Sequence, residues 1–272
     1  MIFAYILISI VLTGFTCVNV ETLQQPAFLW VNILLAFAYW LVLYLIHILI
    51  VLLMVYTTNL NKPPKFTGLF RFLIKTGLPT LLRIAGVKIK AQGIEKIPDG
   101  RVLVVCNHQH DFDPVIIVNA FPNAHLSFIG KKEIFTEKPF ACRAMHLLEC
   151  LYIDRENDRE AAKTIIKAIK LLKENKTSIG LFPEGYVSKT GELQPLRNGS
   201  LKIALKSQVP VVVCVIDGTK NMAESLFRRR STVHFRLLDV ITPEIYEDMN
   251  TNQLGDIIHE KMQTALDDIR NT

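Results

Sequence analysis

Charge is almost missing from the first 61 residues, where Glu21 is the only acidic residue and lysine and arginine do not occur. A cleaved signal peptide is disfavoured, because it would begin with a basic stretch. Two apolar runs, residues 1–20 and 27–56, are each long enough to cross a bilayer core, which takes ~20 residues. A buried core helix is the alternative for the second run. That run has no polar face, and aromatic residues near both its ends are typical of membrane interfaces.

The connector between the two runs, ETLQQP, is short, so residues 1–61 are predicted to form a membrane-embedded helical hairpin. Lysine and arginine begin directly after it, at Lys62 and Lys65. By the positive-inside rule, this side of the hairpin and the rest of the chain face the cytoplasm.

The net charge is +6, and because the first 61 residues contribute −1, the remainder carries +7. Such an excess suits an anionic membrane surface or a phosphorylated substrate. A nucleic-acid partner is not expected, since no recognised binding motif or basic helix accompanies the charge.

The five cysteines are an odd number and show no metal-type pairing, which argues against a disulfide framework or a cysteine metal site. They are interpreted as reduced, small apolar residues of a cytosolic domain. They are Cys17, Cys106, Cys142, Cys150 and Cys214.

Residues 62–86 are predicted to form amphipathic helices on the membrane interface. Apolar residues recur there at helical spacing, and basic residues punctuate the other face. A helix packed on the domain core has the same periodicity, so this alternative stays open. Four residues are expected to break the segment into short pieces: Gly68, Gly77, Pro79 and Gly86.

Residues 87–272 alternate between strand and helix patterns, which predicts an α/β domain with a mixed, largely parallel sheet flanked by helices. The candidate strands are Val87–Ala91, Val102–Cys106, Leu126–Ile129, Ser178–Phe182, Val211–Ile216 and Val233–Leu238. The candidate helices are Pro114–Ala120, Pro139–Leu148, Arg159–Glu174, Leu201–Lys206 and Asn252–Ile269. Asp158 is the expected cap of the third helix.

The stretch VLVVCNHQHDFDPV, residues 102–115, places several polar side chains directly after a strand. Asp113 before Pro114 is a favourable helix start, with the carboxylate as N-cap. A cap needs one carboxylate oxygen, and the other is free to accept the ring N–H of His108. An imidazole held in this way has a fixed tautomer and a free nitrogen that acts as a base. The spacing alone is weak evidence, since many histidines are structural.

Two other chemical interpretations of this stretch are disfavoured. No further cluster of candidate ligands exists elsewhere in the sequence to complete a site with His108 and His110, so no metal site is expected. Cys106 lies within the apolar strand, where alternation usually turns it into the core rather than toward His108 as a nucleophile.

Other strand ends also carry polar residues. Lys131 and Lys132 follow one strand, Arg155 follows another, and Glu184 and Gly185 follow a third. Sites in α/β domains usually collect at such ends, although each residue taken alone is equally typical of a surface charge or a turn.

In this order and spacing, the motifs resemble those of the glycerolipid acyltransferase family, specifically the 1-acylglycerol-3-phosphate acyltransferases. The resemblance is strong from Val102 to Gly218 and weaker toward the C-terminus. Four blocks carry it: Asn107-His108 with Asp113; Lys131-Lys132-Glu133 followed by Pro139 and Ile153-Asp154-Arg155; Phe182-Pro183-Glu184-Gly185; and Val209-Pro210.

The resemblance implies that His108, oriented by Asp113, takes the proton from the sn-2 hydroxyl of 1-acylglycerol 3-phosphate. The hydroxyl oxygen then attacks an acyl-CoA or acyl-carrier-protein thioester directly, without a covalent enzyme intermediate, cofactor or metal ion. The expected partners are this lysophospholipid, the thioester donor and membrane lipids. The residues implied to bind substrate are Asn107, Lys131, Arg155, Glu184 and Gly185.

The sequence departs from the family pattern at Val187, where the family usually has an arginine associated with the substrate phosphate. Lys189 and Arg197 are the candidates to replace it, although a lysine does not offer the bidentate fork of an arginine. The departure leaves two alternatives: an acyltransferase for another lysophospholipid head group, and an inactive lipid-binding relative.

Overall fold

The chain is described here by a computed structural model covering residues 2–121, 125–154, 156–220, 222 and 230–271. It contains two compact units, Met1–Leu81 and Leu82–Thr272. The sequence placed boundaries at residues 61 and 86 instead, so the segment expected on the membrane interface falls mostly in the first unit.

The first unit contains the predicted helical hairpin. Helix α1 spans Ile2–Asn19 and helix α2 spans Leu29–Thr57, with short 3₁₀ turns at Glu21–Gln24 and Pro26–Phe28 between them. Side chains of the two helices meet: the Thr16 and Tyr39 hydroxyls lie 2.9 Å apart, and the Cys17 thiol donates to Asn32 Oδ1 at 3.2 Å. Most large apolar side chains of α1 and α2 are exposed, as expected for a surface that faces lipid rather than water.

Among the described helices, only the segment Pro26–Thr57 is long and apolar enough to cross a membrane. Helix α1 has 18 described residues, Ile2–Asn19, and is a shorter apolar helix. The described residues thus contain one candidate span, which fits association with a membrane.

Helix α3, Thr67–Ile84, is continuous where the sequence predicted several short pieces, and Pro79 lies inside it. A glycine weakens a helix by only ~1 kcal/mol relative to alanine, which tertiary contacts easily offset. Such contacts exist at Gly77, whose carbonyl accepts from the Tyr44 hydroxyl at 3.1 Å. His47 also joins the helices, since its ring nitrogens contact the Tyr5 hydroxyl at 2.6 Å and the Leu73 carbonyl at 3.0 Å. The helix-packing role of His47 explains a titratable residue inside an apolar run.

The second unit is the expected α/β domain. Its strands are β1 Val87–Gln92, β2 Leu103–Cys106, β3 Leu126–Lys131, β4 Leu151–Ile153, β5 Ser178–Leu181, β6 Val211–Asp217 and β7 Ser231–Ile241. Its helices are α4 Asp113–Ala120, α5 Lys132–Glu137, α6 Pro139–Leu147, α7 Asp158–Lys173, α8 Lys202–Ser207, α9 Pro243–Tyr246 and α10 Thr251–Asn271. Short 3₁₀ turns occupy Ile94–Lys96 and Asn198–Leu201.

The seven strands form one sheet in the order β1-β7-β6-β2-β5-β3-β4. Strands β2 to β6 are parallel to one another, whereas β7 runs antiparallel to β6 and β1 runs parallel to β7. The prediction of a mixed, largely parallel sheet flanked by helices is confirmed. The carboxyl ends of the five parallel strands share one edge, so the polar residues that follow them are brought together.

The helix pattern of residues 158–173 is confirmed, but its cap is different from the one expected. The Asn157 side chain, rather than Asp158, accepts the backbone N–H of Glu160. The first helical residue is thus Asp158, one position earlier than the sequence suggested, and this acidic residue lies in the first turn, where the helix dipole favours negative charge.

Candidate active site

The imidazole of His108 and the carboxylate of Asp113 are hydrogen-bonded in the turn after β2. His108 Nδ1 lies 2.8 Å from Asp113 Oδ2. A carboxylate beside Nδ1 fixes the proton on that nitrogen, which leaves Nε2 with a free lone pair. The pairing expected from the spacing is therefore present in the geometry.

Asp113 is completely buried and accepts four hydrogen bonds. Its Oδ2 also accepts the backbone N–H groups of Gln109 at 2.6 Å and His110 at 2.9 Å, and Oδ1 accepts the Thr219 hydroxyl at 2.6 Å. The expectation that Asp113 caps α4 is wrong: Phe112 is the N-cap residue and no side chain caps this helix. The carboxylate instead bonds the turn before the helix, so it fixes the backbone that carries His108.

His108 is held on its other sides as well. Its ring stacks on Phe182, with centroids 4.1 Å apart, and Phe182 stacks in turn on Phe128 at 5.8 Å. Its carbonyl accepts the backbone N–H of Ser188 at 2.7 Å. The side chain remains 15% exposed, and no hydrogen bond among the described residues reaches Nε2. The ring thus presents one unused basic nitrogen in a fixed orientation.

Glu184 is 1% exposed and joins the two motif turns. Its Oε1 accepts the backbone N–H of His108 at 2.6 Å, and its Oε2 accepts the backbone N–H of Gln194 at 2.8 Å. Burial raises the pKa of Glu184 to about 7, and the two backbone N–H groups offset only part of this effect. Both carboxylate oxygens are occupied by the protein, so the geometry gives Glu184 a role in positioning His108 rather than in contacting substrate.

The raised pKa of Glu184 predicts a pH-dependent stability. The unfolded carboxyl, with a pKa near 4.5, releases its proton before the folded one does, so ionisation favours unfolding as pH rises from 4.5 to about 7. We expect the free energy of unfolding to fall by ~2 to 3 kcal/mol over this window, and the loss to persist above it. Glu184→Gln should flatten that slope in urea melts at pH 5, 6, 7 and 8. An identical slope in the variant would contradict the prediction.

Asn107 and Gln109 flank His108, and both are buried. The Asn107 amide donates to the Ile216 carbonyl at 2.9 Å and accepts the Ile216 N–H at 2.7 Å. Both ends of the amide are therefore used to tie β2 to β6, which disfavours the substrate contact implied for Asn107. Gln109 was not singled out from the sequence, yet it donates to Gly191 O and Asp217 Oδ1 and accepts from Gly218 N.

Arg270 in the last helix extends this network and was also missed. Its guanidinium donates to the Gly191 carbonyl at 2.6 Å and to Glu192 Oε2 at 2.8 Å, and contacts Asp217 Oδ1 at 3.3 Å. The C-terminal helix thereby fixes the loop that follows the Glu184 turn. The partners lie 53 to 79 positions away in sequence, so no local pattern signals them.

Lys131 lies exposed at the end of β3, and its charge contributes to the lowered pKa of Asp111. Burial alone would raise the Asp111 pKa, but the hydrogen bond from Lys138 at 2.7 Å and the nearby positive charges outweigh burial. Lys132 instead pairs with Asp154 at 2.9 Å. Arg155, implied to bind substrate, lies outside the described residues.

The Glu184 turn continues through Gly185, which has a φ of +80°. A side chain at this position would also approach Arg197 Cδ to 2.9 Å, so glycine is required for two reasons. Arg197 therefore lies against the turn. Lys189 is exposed on the following loop. Both candidates to replace the expected arginine are exposed, and Arg197 differs in having described contacts with the Pro183 carbonyl and the Tyr186 ring.

A groove of about 520 Å³ opens beside this turn. Its floor is mainly isoleucine and leucine from β3, α7 and β5, and Phe182, Gly185 and Arg197 line one end. Because Phe182 also stacks on His108, the groove adjoins the candidate base. An apolar floor next to a cation suits an amphiphilic ligand.

The residues considered for a metal site and for a cysteine nucleophile have the following surroundings. Among the described residues, no group of three or more His, Cys, Asp or Glu side chains is placed to hold a metal ion. Cys106 is buried in β2, and burial raises the pKa of its thiol well above the ordinary value. A thiol in this state is a poor nucleophile.

The family model described as Acyltransferase matches residues 88–217, which include each residue of the four motif blocks. A probable 1-acyl-sn-glycerol-3-phosphate acyltransferase of Mycoplasma pneumoniae is 31% identical over 171 residues, covering 61% of either chain. The 1-acyl-sn-glycerol-3-phosphate acyltransferase of Borreliella burgdorferi is 30% identical over 190 residues, covering 67% of this chain and 75% of that one.

A solved structure is similar over most of the chain. The crystal structure of the 1-acyl-sn-glycerophosphate (LPA) acyltransferase PlsC from Thermotoga maritima aligns with a TM-score of 0.64 at 22% identity. The alignment covers 82% of this chain and 88% of that one. At this identity the likeness shows a shared fold.

Proposed function

The chain belongs to the family of 1-acyl-sn-glycerol-3-phosphate acyltransferases, and on this premise we propose that it transfers a fatty acyl group to the sn-2 hydroxyl of 1-acylglycerol 3-phosphate, giving phosphatidic acid. The expectations that it is an acyltransferase enzyme and a member of this family are confirmed. The acceptor, the donor and the roles of individual residues belong to the proposal.

The observation that carries the proposal is the His108–Asp113 pair with an unused Nε2. Nε2 takes the proton of the acceptor hydroxyl while its oxygen attacks the thioester carbonyl. The buried negative charge of Asp113 stabilises the imidazolium that forms. The tetrahedral intermediate then expels the thiolate, which takes the proton back from His108 and leaves as a thiol. No net proton or electron is gained or lost by the protein.

The donor in this proposal is acyl-CoA or an acyl carrier protein, and neither a cofactor nor a metal ion takes part. A thioester is already activated, so the attack needs a base and not a second activating group. The acceptor and the product are lipids, whereas the donor is soluble in water. An enzyme held at the interface meets both without extracting the lipid, which would cost ~0.8 kcal/mol per methylene.

We place the catalytic domain on the cytoplasmic side of the membrane. Lys62, Lys65, Arg71 and Lys75 follow the apolar helices directly, and an excess of basic residues marks the cytoplasmic flank of a membrane segment. The soluble donor is met on this side.

A panel of lysolipids that differ only in head group, with one acyl thioester as donor, tests the proposal. We expect release of the free thiol to be fastest with lysophosphatidate. His108→Ala should lower the rate by ~10²- to 10⁴-fold, the usual contribution of a general base. Thiol release is followed with a chromogenic reagent and the product by mass spectrometry.

Two results would change the assignment. Near-wild-type turnover by His108→Ala would remove the base from the mechanism. Faster acylation of another lysophospholipid would favour the alternative that Val187 raises, an acyltransferase for a different head group. An inactive lipid-binding relative is disfavoured, because the hydrogen bond between His108 and Asp113 is intact.

A further inference from the structure

Arg197 is held against the Glu184 turn by three contacts. Its backbone N–H donates to the Pro183 carbonyl at 2.7 Å. Its guanidinium carbon lies 4.4 Å from the centroid of the Tyr186 ring, which is a cation–π distance. Its Cδ passes over Gly185, where even a methyl group would approach it to 2.9 Å. The backbone of Arg197 is therefore tied to the turn, and its exposed side chain lies along the turn against Tyr186 and Gly185.

The charge of Arg197 has no described acidic partner. None of the ion pairs among the residues that the structure describes involves this guanidinium. Stacking on an aromatic ring uses the flat face of a guanidinium and leaves its N–H edge free. That edge is the part which binds a phosphate through two parallel hydrogen bonds.

Arg197 is linked to His108 through Phe182 and through the Glu184 turn. It lines the same groove as Phe182, and the Phe182 ring stacks on His108. The same turn carries Glu184, which holds the backbone of His108. The turn therefore links the position of a head group bound at Arg197 to the position of the His108 imidazole.

We propose that Arg197, fixed by Tyr186 and Gly185, forms a binding site for the phosphomonoester of the acceptor and makes the protein selective for lysolipids that carry it. The inference rests on the proposed function and names the residue that recognises the phosphate of the head group. Val187 leaves the turn without the cation expected there. Lys189 is exposed, shows no described contact, and offers one point charge rather than a fork.

The test compares two soluble short-chain acceptors, a 1-acylglycerol 3-phosphate and the matching monoacylglycerol, in the full-length protein. Arg197→Ala is expected to raise KM for the phosphate acceptor about 10- to 100-fold, as for the loss of charge-assisted hydrogen bonds, with kcat changed less than threefold. The KM of the neutral acceptor, or its inhibition constant if turnover is too slow, should not change. Arg197→Lys should give an intermediate KM, because the charge stays and the fork is lost.

Lys173→Ala is the control, since Lys173 is an exposed lysine of α7 that does not line the groove. It should leave both KM values unchanged. A KM rise shared by both acceptors, an equal effect of Lys173→Ala, or an effect confined to Lys189→Ala would each overturn the proposal. Melting curves establish that every variant is folded.

The proposed function can fail separately from this inference. If wild-type protein acylates no lysophosphatidate, the proposed acceptor is wrong. Calorimetry of glycerol 3-phosphate binding to wild type and to Arg197→Ala then still tests whether Arg197 forms a phosphate-binding site. Tighter binding to wild type supports it, and equal binding refutes it.

Discussion

Asp113→Asn is expected to lower kcat for acyl transfer by about 10²- to 10⁴-fold. Asparagine has the same shape as aspartate and keeps one oxygen for the N–H groups that now converge on Oδ2. It lacks the negative charge that stabilises the imidazolium formed when His108 takes the acceptor proton. Steady-state thiol release at saturating acceptor measures the effect.

Two further variants separate chemistry from folding. Asp113→Ala leaves four donors without an acceptor, namely His108 Nδ1–H, the backbone N–H groups of Gln109 and His110, and the Thr219 hydroxyl. Each buried unpaired donor costs about 1 to 3 kcal/mol, so this variant should unfold at much lower urea than Asp113→Asn. Thr219→Val removes only the Oδ1 contact and should reduce kcat much less. Activity of Asp113→Asn within tenfold of wild type would show that the carboxylate charge does not assist the imidazole.

Removal of residues 1–61 is expected to lower kcat/KM on liposomal lysophosphatidate about a hundredfold or more, because the catalytic domain loses the apolar helices that keep it near its acceptor. A variant that keeps the whole chain tests the same argument: Leu45→Lys with Leu49→Lys on the exposed face of α2. Each lysine opposes insertion by ~2.5 to 3.5 kcal/mol at the helix centre. Flotation with liposomes measures the bound fraction.

The control is a short-chain acceptor dissolved below its micelle concentration. Activity on this substrate should stay within a few-fold of wild type in the double-lysine variant, because only the exposed face of α2 has been changed. Unaltered liposome activity after the deletion would contradict the anchoring argument, and loss of both activities would indicate damage to the catalytic domain instead.

The pairing of His108 with Asp113 was predictable because its signal is local. His108 and Asp113 lie five positions apart in a turn between an apolar strand and a helix, and each such turn in a parallel sheet opens on the same edge. The fold was predictable for a similar reason, since strand and helix periodicities alternate along the domain. Both the His108–Asp113 spacing and the strand and helix periodicities are patterns that each span fewer than twenty residues.

The supporting contacts were not predictable, because they join distant segments. Thr219 and Asp113 are 106 positions apart, and Gln109 and Asp217 are 108 apart. Glu184 illustrates a different limit. The motif marks it as important, but the motif cannot show that both oxygens accept backbone N–H groups of neighbouring turns.

Among the described strands, β1 pairs only with β7. Val87 lies beside Ser231, which is 144 positions later in the chain. During synthesis β1 is made before every other strand of the sheet and its partner β7 after them, so the five parallel strands between residues 103 and 217 can pair with one another first. Such long-range closure is slow compared with local pairing. The apolar helices emerge before any of these strands, so the nascent chain is tethered to the bilayer while its sheet is still open at one border. That border of the sheet is completed only after β7 has been made, so β1 waits without a strand partner until then.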